Sequence, residues 1–133
     1  MREERVRLIP GGIDALERTR ALGIRTGMIT NGDAAGQRKK IERFGLACYF
    51  DHILIEGEFG CGKPHPTVYE ATLQALGSDP RRTWIVGDNL AFDIGAPQRL
   101  GIYGIWVDGS GNGPPAGTAI RPDRTIASIA ELL

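Results

Sequence analysis

Short apolar runs ending in glycine, asparagine or aspartate alternate along this chain with stretches of helical spacing. IRTGMIT (24–30) stops at Asn31-Gly32, FDHILIEG (50–57) at glycine, TWIVGD (83–88) at Gly87-Asp88, and IYGIWVDG (102–109) at Asp108-Gly109. Each has the length and punctuation of a strand feeding a turn. Before the first, Ile13, Leu16 and Ala21/Leu22 recur at helical spacing and Gly23 stops them. A second helix is expected from about Ala34 to Phe44, closed by Gly45. A third follows from Thr67 to Leu76, carrying Val68, Ala71, Leu73 and Leu76 and closed by Gly77; NLAFDIGAPQRLG (89–101) reads as a short fourth. Gly57 to Pro66 reads as a loop, GSGNGPPAG (109–117) as irregular, and the chain closes with a short strand or turn at Thr125–Ile126 and a helical end. Strands alternating with helices of this length specify an α/β fold with a parallel sheet.

The 133 residues fit one domain, 1–133, long enough to bury roughly two thirds of the unfolded surface without a disulfide. Sixteen basic and sixteen acidic residues cancel, which gives no general affinity for nucleic acid or an anionic membrane. No apolar run approaches the ~20 residues that span a bilayer, and MREERVRLIP carries no signal-peptide pattern. A cytoplasmic protein with Cys48 and Cys61 as free thiols is the expectation.

In parallel sheets ligands bind at the carboxyl ends of the strands. Thr30, the 57–63 loop and Asp88 all fall there. GEFGCGK (57–63) satisfies the P-loop pattern G-x-x-x-x-G-K, but Pro64 stands where a metal-binding hydroxyl is needed, and Pro64 and Pro66 remove two N–H donors. Cys48, His52, Cys61 and His65 make a nominal zinc set whose two halves flank an apolar strand. Asp108 could be a strand-end nucleophile, yet Ser110 occupies the place of a general acid, and a turn-forming Asp-Gly is the simpler reading. The remaining set is Thr30 and Asn31 as donors to a phosphate, Lys63 as a fixed cation, and Asp88 with Asp93 as carboxylates for Mg2+. Each member alone reads as a turn residue, a solvated charge or a cap; their order at successive strand ends points to one site.

MITNG (28–32), GKPHP (62–66) and VGDNLAFDIGAPQRLG (86–101) resemble the second, third and fourth motifs of the haloacid dehalogenase superfamily of hydrolases. LIPGGIDALERTRALGIRTG (8–27) and RPDRTIASIAELL (121–133) are similar to the same family, so the resemblance runs from about Leu8 to Leu133. It implies a three-layer, Rossmann-like core acting on a small phosphorylated molecule with Mg2+. Thr30, with Asn31 beside it, would bond the phosphoryl group, Lys63 would stabilise its charge, Asp88 would be a metal ligand, and Asp93 would support the metal shell or orient Lys63.

The family's first motif, an apolar strand ending in D-x-D-x-T that supplies the nucleophile, has no counterpart; Asp14 is the one aspartate before Thr30 and sits mid-helix, and no cap domain intervenes. The resemblance therefore implies the carboxyl-terminal part of a core, incomplete at the amino-terminal strand and inactive alone. The motif-two and motif-four strands would pair directly, recruit RVRLI (5–9), borrow a strand through self-association, or keep open edges. A non-catalytic phosphate- and metal-binding module and a P-loop nucleotidase stand as alternatives.

Overall fold

A computed structural model describes residues 12–132. Helix α1 (Gly12–Ala21) leads into β1 (Gly27–Thr30), α2 (Ala34–Arg43) and β2 (His52–Ile55). A one-turn helix α3 (Glu56–Phe59) and the longer α4 (Pro66–Leu76) follow, then β3 (Trp84–Gly87). A π-helical turn (Leu90–Gly95) runs into α5 (Ala96–Gln98), and β4 (Tyr103–Val107) and β5 (Arg124–Ile126) complete the strands. The expected helices and strands are present at nearly the expected places.

Local chemistry sets the helix ends. Asp33 caps α2 by accepting from the Gly36 N–H at 2.8 Å, a contact typically worth about 1 kcal/mol. α4 begins with Pro66, where a missing N–H is harmless, and ends at Gly77, whose φ of +64° favours glycine. Its buried residues Val68, Tyr69, Thr72 and Leu73 recur at one-turn spacing and form the face laid on the strands.

All pairings are parallel. β1 pairs β2 with Thr30 opposite Ile55, and β3 pairs β4 with Gly87 opposite Trp106; β4 also pairs β5. The described strands make two sheets, β1–β2 and β3–β4–β5, and β1 is not bonded to β3. Direct pairing of the motif-two and motif-four strands is thereby excluded among the described residues, and RVRLI lies outside them. Leu54, Val68, Tyr69, Leu73, Ala96 and Ile102 form one core cluster, and Met28, Ile41, Leu46 and Ile55 another. Burying each such large apolar side chain stabilises by about 1.5–3 kcal/mol.

Two segments differ from expectation. The 57–66 loop starts with α3: the Gly60 N–H closes the turn on the Glu56 carbonyl at 2.9 Å, and the Glu56 carboxylate accepts from the Gly32 N–H at 2.9 Å. The short fourth helix opens as a π turn ahead of Pro97, which has no N–H to give the Asp93 carbonyl and crowds it in a regular helix.

Candidate functional site

The carboxyl ends of β1, β2 and β3 deliver the site. Thr30 is fully buried at the end of β1, and its hydroxyl donates to the Asn31 carbonyl at a long 3.4 Å. The Asn31 side chain and the Lys63 backbone bond each other reciprocally. Asn31 Nδ2 donates to the Lys63 carbonyl at 3.0 Å, and the Lys63 N–H donates to Asn31 Oδ1 at 2.8 Å. This two-way amide bridge ties the loop after β1 to the loop beyond β2. Glycine at 62 is required beside it, since a Cβ there would lie 2.6 Å from Asn31 Oδ1 and 2.7 Å from Glu56 Oε2.

From that fixed backbone Lys63 reaches inward, and its Nζ meets Asp93 Oδ1 at 3.0 Å in a buried ion pair. Asp93 Oδ2 accepts from the Asn89 N–H at 3.0 Å, so each of its oxygens has a donor. Asn89 caps the π turn by accepting from the Phe92 N–H at 2.9 Å. The Tyr69 hydroxyl donates to the Phe92 carbonyl, and burial, seconded by the Asp93 charge, pushes the phenol above its ordinary pKa. Tyr69 therefore stays a protonated donor.

Asp88 follows β3 directly and is half-buried, with its backbone carbonyl accepting from the Trp106 indole N–H at 3.0 Å. It lines an open cleft of about 620 Å³ with Trp106, Asp108, Asn112 and Pro115. Asp108 accepts from the Ser110 hydroxyl at 2.6 Å and the Gly113 N–H at 2.8 Å. These bonds, the Ser110 hydroxyl foremost, hold its carboxyl below the usual carboxylate range. That is the chemistry of a turn, as expected for Asp108-Gly109.

Thr30, Asn31, Lys63, Asp88 and Asp93 thus fall at or beyond the carboxyl ends of β1, β2 and β3, with Asp93 turned toward Lys63. The nominal zinc set is not assembled: Cys48 and His52 lie at the amino end of β2 and Cys61 and His65 beyond its carboxyl end. Among the described residues no cluster of three or more His, Cys, Asp or Glu could hold a metal. The G-x-x-x-x-G-K run is no phosphate cradle, since Gly57–Phe59 are helical and the lysine pairs with Asp93. Sequence reasoning missed Glu56, Asn89 and Trp106, which act through backbone groups; only Asn89, a cap residue ahead of an apolar stretch, left a readable signal.

A family model described as haloacid dehalogenase-like hydrolase matches residues 2–101. The chain belongs to the haloacid dehalogenase-like hydrolase family. It is 36% identical over 101 residues to the glyceraldehyde 3-phosphate phosphatase of Pyrococcus abyssi, covering 76% of this chain and 42% of that protein. It is 33% identical over 125 residues to the phosphoserine phosphatase of Thermus thermophilus, covering 94% and 49% respectively. The crystal structure of a HAD phosphatase from Thermococcus onnurineus superposes with a TM-score of 0.84 at 27% identity, covering 95% of this chain and 56% of that one. The chain spans about half the length of the curated relatives it matches. The fold is accordingly the haloacid dehalogenase-like α/β core. No helix among the described residues is long and apolar enough to cross a membrane.

Proposed function

We propose that this chain forms the phosphate- and Mg2+-binding portion of a phosphatase core acting on a small phosphorylated metabolite, and that it does not turn over substrate unaided. One observation carries the reading: a buried lysine held at its backbone by Asn31 and at its ammonium by Asp93, between the ends of β1 and β3. Phosphatases of small metabolites among the relatives support the substrate class.

Within this reading the Thr30 hydroxyl exchanges its long bond to the Asn31 carbonyl for a phosphoryl oxygen. Lys63 neutralises charge developing on that group, and Asp93 keeps the ammonium charged and aimed. The residues present fit Mg2+: Asp88 offers a hard carboxylate at an open cleft, and Mg2+ takes one or two protein carboxylates while keeping waters and phosphate oxygens. When bound, the ion would draw charge off the phosphoryl oxygens; Asp88 would hold it, and Asp93 would support the loop. In this reading Asp93, the carboxylate beside Lys63, serves as a support, since its two oxygens are taken by the Lys63 ammonium and the Asn89 N–H.

Calorimetric titration with inorganic phosphate in the presence of Mg2+ tests the reading. Thr30→Val and Lys63→Met should each weaken binding at least about tenfold, the scale of one lost charge-assisted bond. Absence of phosphate binding by the unaltered chain defeats the proposal. Hydrolysis of p-nitrophenyl phosphate that disappears in Asp88→Ala defeats the statement that the chain is inactive alone.

A further inference from the structure

The peptide joining Asp88 to Asn89 is held at both of its polar groups. Its carbonyl accepts from Trp106 Nε1 at 3.0 Å, and its N–H donates to Asp93 Oδ2 at 3.0 Å. A peptide is planar, so two bonds from opposite sides fix its rotation and the direction in which the Asp88 Cα–Cβ bond points. The donor and the acceptor come from different elements, Trp106 from β4 and Asp93 from the π turn.

Trp106 is itself buried. It is 7% exposed, and in the β3–β4 ladder it stands opposite Gly87, the residue before Asp88. An indole suits the position because it joins a large apolar body to a single polar atom that can only donate. Asp93 also receives Lys63 Nζ. Indole, peptide, carboxylate and ammonium therefore form one hydrogen-bonded chain from β4 to the lysine.

We infer that Trp106 is a positioning residue for Asp88, setting the aim of the carboxylate through the Asp88–Asn89 peptide. The inference rests on the reading of Asp88 as the Mg2+ ligand. Supporting partners of metal ligands commonly contribute tenfold or more to metal affinity, and Trp106 is placed to do so through main chain.

The chain has two tryptophans, and Trp84 is an internal control, 56% exposed and in tilted ring contact with Tyr103. In the 15N-labelled chain the Trp106 indole N–H should exchange slowly with water and its resonance should move as Mg2+ is added. Trp84 should do neither, and Asp88→Asn should abolish the shift. Trp106→Phe keeps a ring and loses the donor; it should raise the Kd for Mg2+ about tenfold and leave affinity for inorganic phosphate, measured without Mg2+, unchanged. A merely structural role would weaken both. Mg2+ binding by Trp106→Phe as tight as in the unaltered chain overturns the inference, as does a Trp106 indole exchanging as fast as that of Trp84. If Trp106→Phe does not fold, the indole titration of the unaltered chain decides. A complete lack of Mg2+ response in the unaltered chain removes the metal reading of Asp88, and this inference with it.

Discussion

Lys63 Nζ and Asp93 Oδ1 lie 3.0 Å apart with side chains 3% and 2% exposed. Removing one partner breaks a buried ion pair, which typically costs about 3–5 kcal/mol. Asp93→Ala should therefore lower the urea midpoint sharply. The double variant Lys63→Met/Asp93→Leu, which buries no charge, should recover much of that loss. Equal destabilisation by the single and double variants would show that the pair is not the source.

Gly87 ends β3 directly beneath Asp93. A Cβ at Gly87 would lie 2.3 Å from Asp93 Oδ2, a distance that forces the carboxylate off Lys63 and off the Asn89 N–H. Gly87→Ala should destabilise by about 1–3 kcal/mol, the range for overpacking. Gly104→Ala on β4 meets Ile94 methyls at 3.1 and 3.4 Å and Gln98 Cγ at 3.6 Å, and should be milder. Thermal unfolding of the two variants side by side checks the order.

Much of this was legible in the sequence because strand ends announce themselves. MITNG, IEG and VGDN each put a turn former after an apolar run, and the strands do end at those turn formers. Lys63 was found by its place in GKPHP, whereas its pairing with Asp93 rests on a contact between residues thirty positions apart that no local pattern encodes. The sequence admits Asp93 both as part of a metal set and as a support for Lys63, and in the fold it pairs with Lys63. Trp106 and Glu56 were missed for a common reason. Each serves a backbone group on another strand end, so its role depends on sheet register, and periodicity alone places Trp106 and Glu56 within apolar strand runs.

Asp108 makes a pH prediction. The Ser110 hydroxyl and then the Gly113 N–H lower its pKa in the folded chain. A depressed folded pKa contributes stability above the unfolded carboxyl value, about 3.9, and that contribution fades as pH falls toward the lower folded value. Ser110→Ala should raise the Asp108 pKa toward normal, read from its carboxyl carbon resonance. The stability difference between Ser110→Ala and the unaltered chain should be constant from about pH 5 upward, and should shrink below the ordinary carboxyl range. A difference independent of pH down to the acid limit would dissociate Ser110 from the ionisation of Asp108.

Asn31 separates stability from anion binding. Its side chain gives one donor and one acceptor to the Lys63 backbone. Asn31→Ala removes both of these bonds at a part-buried site, a loss of about 1 kcal/mol for each. Asn31→Asp keeps the acceptor for the Lys63 N–H but sets a carboxylate oxygen against the Lys63 carbonyl, so it too should destabilise. The two variants should diverge in phosphate binding. Alanine displaces Lys63 without adding charge, whereas aspartate adds a negative charge one residue from Thr30, where the anion is proposed to sit. Phosphate titration at matched folded fractions should therefore find Asn31→Asp the weaker binder of the two. Equal affinity in the two variants would mean that the anion lies away from the Thr30–Asn31 turn, and that Asn31 serves the fold alone.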